Sequence, residues 1–162
     1  MVADPPAWPP ATGRLIAWLT GAGVAFRILE HPPVRTSAEA AAVRGTPLAA
    51  GAKALVVRAD ERLVHLVLPG DRRIDNTRLR DVLGTRRVRF VTPDELWALT
   101  GCVPGAVPPF GNLFGLEVLV DEELPRCDEI AFNAGSPAVS ITMRSADFIR
   151  LADARICRFA QP

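Results

Sequence analysis

Apolar positions along the chain repeat with two periods, and the switches between them mark its elements. Leu15, Ile16, Trp18 and Leu19 follow Thr12 at helical spacing, and Gly21 and Gly23 end the pattern, which predicts a helix over about 12–21. Phe26 and Ile28 ahead of His31-Pro32-Pro33 read as a short strand stopped by prolines, which cannot donate to a ladder. Thr36-Ser37-Ala38-Glu39 is a capping-box pattern, so a second helix runs to about Arg44. From Lys53, Ala54-Leu55-Val56-Val57 is a buried-strand run, and Leu63 to Leu68, after Asp60-Glu61, is its hairpin partner. Asn76 to Leu83 reads as a helix closed by Gly84, and Val88 to Val91 as a strand.

Thr92-Pro93-Asp94-Glu95 is the strongest local signal, with a capping threonine, proline at the first helical position and glutamate placed to complete the box. That helix carries Leu96, Trp97 and Leu99 and stops at Gly101. The segment from Gly101 to Gly111 cannot be regular structure, because its prolines lack donors and its glycines admit unusual dihedrals; it is a shaped loop. Strands follow at Glu117 to Val120, Glu129 to Asn133 and Ala138 to Met143, then a helix at about Ser145 to Ala152 and a strand at Arg155 to Phe159. This order predicts an α+β fold: a single domain over 12–162 with a strongly bent, mostly antiparallel or mixed, barrel-like sheet flanked by helices. Residues 1–11, with four prolines, are expected to be a flexible proline-rich N-terminus.

Composition narrows the function classes. With 49% hydrophobic and 23% charged residues over 162 positions, the chain can bury a sizeable core without staples. Its apolar runs fall far short of the ~20 residues of a membrane span, and an acid and prolines stand where a signal peptide needs a basic start, so a cytoplasmic protein is expected. Cys102, Cys127 and Cys157 are widely spaced and odd in number, and only His31 and His65 could assist them; neither a disulfide framework nor a metal site is expected, and no cofactor. The net charge of +1 restricts nucleic-acid binding to a local patch or a shaped pocket.

One detail of that charge stands out. Of 19 basic residues a single one, Lys53, is lysine. Either it is a chance survivor on the surface, or it marks a place that needs a compact ammonium whose pKa moves on burial. Two glycine-bearing segments add exposed backbone donors of the kind that hold an oxyanion: Gly101 to Gly111, and Phe132-Asn133-Ala134-Gly135-Ser136-Pro137. Taken singly, the first reads as a rigid turn and the second as a hairpin connection. Gly45 to Ala54 faintly resembles a phosphate-binding loop, but the spacing is one too long and Ala54 has no hydroxyl for magnesium. No Gly-x-Ser-x-Gly occurs. His65, mid-strand among apolar neighbours, reads as structural; His31 is the better pocket wall.

Together, Lys53-Ala54-Leu55-Val56, the Gly101 to Gly111 loop, Ile130 to Gly135, Ser140-Ile141 and Ala146-Asp147-Phe148 resemble the YbaK-type aminoacyl-tRNA deacylases, related to the editing domain inserted in bacterial prolyl-tRNA synthetases. The likeness runs from about Leu15 to Phe159, and Arg44-Gly45-Thr46 with Phe132 to Gly135 places it among free-standing members. It implies hydrolysis of the ester joining a mischarged small amino acid, such as serine, alanine or threonine, to the terminal ribose of tRNA. The family lysine maps to Lys53. Substrate binding maps to Gly101, Cys102, Val103, Pro104 and Gly105, with Asn133, Ala134, Gly135, Ser136 and His31 at the substrate end. The tRNA would dock its acceptor end there, and its body on Arg72, Arg73, Arg78, Arg80, Arg86, Arg87 and Arg89, a stretch that reads equally as a solvated face; an aminoacyl-tRNA synthetase is an optional partner. The rival from another class is a non-catalytic module that binds the tRNA end or a nucleotide.

Overall fold

A strand that is apolar on both faces has to be covered on both, and this requirement organises the molecule. A computed structural model describes residues 8–162. In it β3 (Arg62–Pro69) is buried from Val64 onward. On one side β3 pairs antiparallel with β2 (Ala52–Ala59), and on the other parallel with β5 (Glu117–Asp121). The short strands β4 (Val88–Phe90) and β8 (Arg155–Cys157) complete a five-stranded sheet in the order β4-β2-β3-β5-β8, with β4 antiparallel to β2 and β8 parallel to β5. A second, antiparallel sheet has the order β1-β7-β6, from β1 (Phe26–Glu30), β6 (Glu129–Ser136) and β7 (Val139–Arg144).

The main core fills the space between the sheets under α1 (Pro10–Gly21) and α5 (Ser145–Leu151). Leu15, Leu19, Val67, Val120, Ile130 and Ile141 pack there around Phe110, whose ring meets Trp18, Phe132 and Phe148 edge-on at 5.2–5.7 Å between centroids. On the far face of the large sheet, Leu79 and Leu83 of α3 (Asn76–Leu83) cover Val64, Leu66 and Leu68. Leu96 of α4 (Pro93–Thr100) joins Val56, Ala106 and Leu116 in a third cluster. Two further helical pieces, α2 (Ser37–Arg44) and a 3-10 turn at Leu48–Ala50, lead into β2.

The α+β class and the order of elements agree with the sequence reading. The sheet, however, divides in two and does not close: the halves meet at an isolated parallel bridge between Gly51 and Ala131. Smaller differences have local causes. Proline suits the first helical turn, so α1 begins at Pro10 and takes the end of the segment expected to be flexible; residues 1–7 lie outside the described residues. β6 continues to Ser136 instead of stopping at Asn133, because an irregularity between those two absorbs the extra residues. The strand expected to reach Phe159 ends at Cys157, because the Phe159 and Ala160 N–H groups donate to the buried Asp121 carboxylate at 3.0 and 2.8 Å.

Candidate active site

β4 and the Val91 N–H, which donates to the Val56 carbonyl at 3.1 Å, cover the outer edge of β2 from Val56 to Ala59, and Ala131 covers the residue before the strand, Gly51. Between them the edge is unpaired, and a cavity of about 430 Å³ lies against it, lined by Gly51 to Leu55. The opposite wall is Val103, Pro104, Gly105 and Val107; Pro33 to Ser37, Ala40 and Arg44 close one end, and Asn133 and Pro137 complete the lining. The size suits a small ligand. The lining holds three cations, Arg35, Arg44 and Lys53, and no aspartate or glutamate among the described residues. Such a wall favours an electron-rich or anionic group.

Lys53 is half-buried, and its ammonium donates to the Arg72 carbonyl at 2.6 Å. Burial lowers its pKa; Arg73 lowers it further and Asp71 opposes the change. The nitrogen is therefore tethered and part-buried, on a residue that lines the cavity. The loop from Gly101 separates into two parts. Gly101 is the left-handed cap of α4 (φ 68°), and its N–H donates to the Trp97 carbonyl. The Cys102 N–H donates to the Thr100 hydroxyl. Val103 and Gly105, by contrast, find no acceptor for their N–H groups among the described residues, and both line the cavity. Gly105 takes φ 83°, which only glycine adopts at no steric cost.

Five of the expected catalytic and substrate-binding residues thus come together at the cavity: Lys53, Val103, Pro104, Gly105 and Asn133. The other six stand behind its wall. Gly101 and Cys102 are occupied in the helix cap, and Cys102 is buried. Ala134, Gly135 and Ser136 are buried in β6: the Gly135 N–H donates to the Ala106 carbonyl at 2.8 Å, and the Ser136 hydroxyl accepts from the Ala138 N–H. His31 supports the wall from outside, with Nε2 2.7 Å from the Ser140 hydroxyl and Nδ1 2.8 Å from the Pro32 carbonyl. All three cysteine thiols are free and pushed up by burial, Cys157 to about 11, so none is a ready thiolate nucleophile.

Arg44 and Ser140 are additions that the sequence reading did not place at the site, although both lay in its family-like segments. Arg44 Nε donates to the Ser140 hydroxyl at 2.8 Å, and Nη2 to Asn133 Oδ1 at 2.9 Å. Among 18 arginines, nothing in the pattern singles out one whose partners lie about ninety positions away.

The arginine stretch is dispersed. Arg72 pairs with Asp71 and Glu123, Arg78 with Asp75, and Arg89 with Glu95. Arg73, Arg80, Arg86 and Arg87 have no ion-pair partner among the described residues. Arg72 lies at the Lys53 end of β2, whereas Arg86, Arg87 and Arg89 border an open cleft with Arg58 and Arg62. Arg58 follows Lys53 by five residues, about 17 Å along a strand.

Fold and site together define an α+β protein with a small pocket lined by its single lysine and by a loop with two unengaged N–H groups, and with no acid in the lining among the described residues. Residues 31–151 match the aminoacyl-tRNA editing domain family, and the chain belongs to that family. The Multifunctional Ser/Thr-tRNA deacylase ProXp-y of Escherichia coli K12 is 38% identical over 151 residues, covering 90% of each chain. The proline-tRNA ligase of Thiobacillus denitrificans is 30% identical over 114 residues, 70% of this chain but 20% of that one. A solved structure of a candidate trans-editing enzyme for prolyl tRNA synthetase superposes with a TM-score of 0.86 at 25% identity, covering 96% of this chain and all of the other.

Proposed function

We propose that this chain is a free-standing deacylase that hydrolyses the ester between a small, wrongly attached amino acid and the terminal ribose of tRNA. The observation that carries the reading is that Lys53 lines one cavity with Val103 and Gly105, whose N–H groups find no acceptor among the described residues. In ester hydrolysis a water oxygen attacks the acyl carbon, the carbonyl oxygen gains negative charge, the bond to the ribose oxygen breaks, and a proton from water ends on that oxygen. Preorganised backbone donors stabilise the oxyanion without reorganisation. Lys53 anchors the substrate as a cation, through its carbonyl or the terminal phosphate. With no carboxylate lining the cavity among the described residues, and with His31 behind the wall, proton transfer from water falls to the substrate's own hydroxyl or to backbone carbonyls.

Small walls at Ala40, Ala52 and Ala54 and the stiff Val103-Pro104 pair limit the acyl side chain by volume, the usual basis of editing selectivity. The relative named as a Ser/Thr-tRNA deacylase supports serine and threonine as the acyl groups removed. The test is release of free amino acid from tRNAs charged with serine, threonine or alanine. Wild-type protein should accelerate release, and Lys53→Ala should lose about 100-fold or more. Tight tRNA binding without release would instead establish the non-catalytic module.

A further inference from the structure

Ester hydrolysis as derived above leaves Arg44 unused, although it lines the cavity and is half-buried with no carboxylate partner among the described residues. Burial of an unpaired cation is costly, and it pushes this guanidinium down to about 10. The hydrogen bonds around it have one consistent direction. The Pro32 carbonyl can only accept, so His31 Nδ1 carries the ring hydrogen and Nε2 accepts from the Ser140 hydroxyl. The Ser140 oxygen in turn accepts from Arg44 Nε, and Arg44 Nη2 donates to Asn133 Oδ1. That leaves Asn133 Nδ2 to donate to the Gly105 carbonyl at 2.8 Å. Asn133 and Ser140 are a directly opposed cross-strand pair of β6 and β7, so one planar fork spans the pair.

We propose that Arg44 is a positioning residue of the editing reaction: it fixes the orientation of the Asn133 amide and, through it, the Gly105 peptide of the loop that faces the acyl group. The inference rests on the deacylase reading. Its physical basis is that the two ends of a carboxamide are nearly the same size, so sterics do not choose between them. Arg44 can only donate and therefore draws Oδ1. Without Arg44 the Gly105 carbonyl is left to orient the amide by a single hydrogen bond, and that bond loosens as the side chain turns. The loop would then keep the bond from the Gly135 N–H to the Ala106 carbonyl but lose the tie to β6 at Gly105 itself.

Arg44→Lys and Arg44→Gln separate this role from a plain charge, because lysine keeps the cation but cannot hold two acceptors in a fixed plane. Deacylation of seryl-tRNA, amide hydrogen exchange and thermal unfolding are measured on each full-length variant. Both should lower kcat by about tenfold or more with KM changed by less than about threefold, the pattern of lost transition-state positioning. Exchange at Ala106 and Gly135, whose amides donate to the Val103 and Ala106 carbonyls, should rise in both, with α3 unchanged. Asn133→Asp, which keeps the acceptor for Arg44 and removes the donor to Gly105, should reproduce the loop effect and serves if the Arg44 variants fold poorly. Wild-type kcat in Arg44→Lys, or loop exchange that does not change, overturns the proposal. If the wild-type protein releases no amino acid, the deacylase reading falls on its own, and the exchange comparison still decides whether Arg44 holds the loop.

Discussion

His65 is completely buried on β3, and neither ring nitrogen has a hydrogen-bond partner among the described residues. It lies against Gly111, where a Cβ would stand 2.3 Å from Nδ1, so the turn at Gly111–Phe114 can pack this close only as glycine. Burial lowers the His65 pKa from 6.5 to about 4. The folded chain therefore keeps the ring neutral where the unfolded chain takes up a proton. Stability is full above pH 6.5, falls as pH drops toward about 4, and levels below that; the loss reaches about 3 kcal/mol. His65→Leu, similar in volume and without polar atoms to desolvate, should be at least as stable at pH 7 and should lack this part of the acid dependence. Urea midpoints for both proteins at pH 7, 6, 5 and 4.5 test it, and parallel curves would show that the acid sensitivity comes from elsewhere.

Among elements, Gly135 sets where β6 meets α1. It takes φ 85°, and a Cβ there would stand 2.9 Å from the Thr12 N and Oγ1 atoms. The first turn of α1 thus packs directly on the strand that carries Asn133. Gly135→Ala combines backbone strain with a clash against backbone, and should cost about 2 kcal/mol or more, read as a lower urea midpoint. The effect should reach the cavity as weaker deacylation. Helix ends of this chain were legible because their signals are local. The Thr92 hydroxyl accepts from the Glu95 N–H, the Glu95 carboxylate accepts from the Thr92 N–H, and Gly84 and Gly101 take the left-handed caps expected of them. Even there Glu39 departs by one residue, accepting from the Arg35 N–H instead of that of Thr36. What sequence periodicity could not supply was pairing: the parallel partners β5 and β8, the division into two sheets, and the Arg44 fork all depend on residues far apart in the chain. Rarity singled out Lys53 and backbone chemistry the loop, each with a bland reading beside it; the family resemblance joined them, and the fold puts Lys53, Val103 and Gly105 in the lining of one cavity.

For the whole molecule, the question is how a chain of net charge +1 holds a polyanion. On the proposed reading the cavity takes only the acylated end, and the duplex beyond meets the surface. Surface ion pairs already neutralise Arg72, Arg78 and Arg89, so those side chains would have to exchange a carboxylate for a phosphate, with little net gain. Among the described residues, the cations of that stretch without an ion-pair partner are Arg73, Arg80, Arg86 and Arg87. These four would neutralise about four phosphates and contribute about −4 to the slope of log affinity against log salt. Arg86 and Arg87 sit at the cleft about 17 Å of strand away from Lys53, a distance that a single-stranded acceptor tail spans before the stem begins. Arg86→Ser with Arg87→Ser should flatten the slope by about 2 and weaken binding of all tRNAs alike, while leaving kcat at saturating substrate unchanged, because neither residue lines the cavity. Filter binding of uncharged tRNA between 50 and about 300 mM salt measures both quantities. A wild-type slope near zero would mean that the pocket alone holds the tRNA and that the arginine stretch is a solvated face.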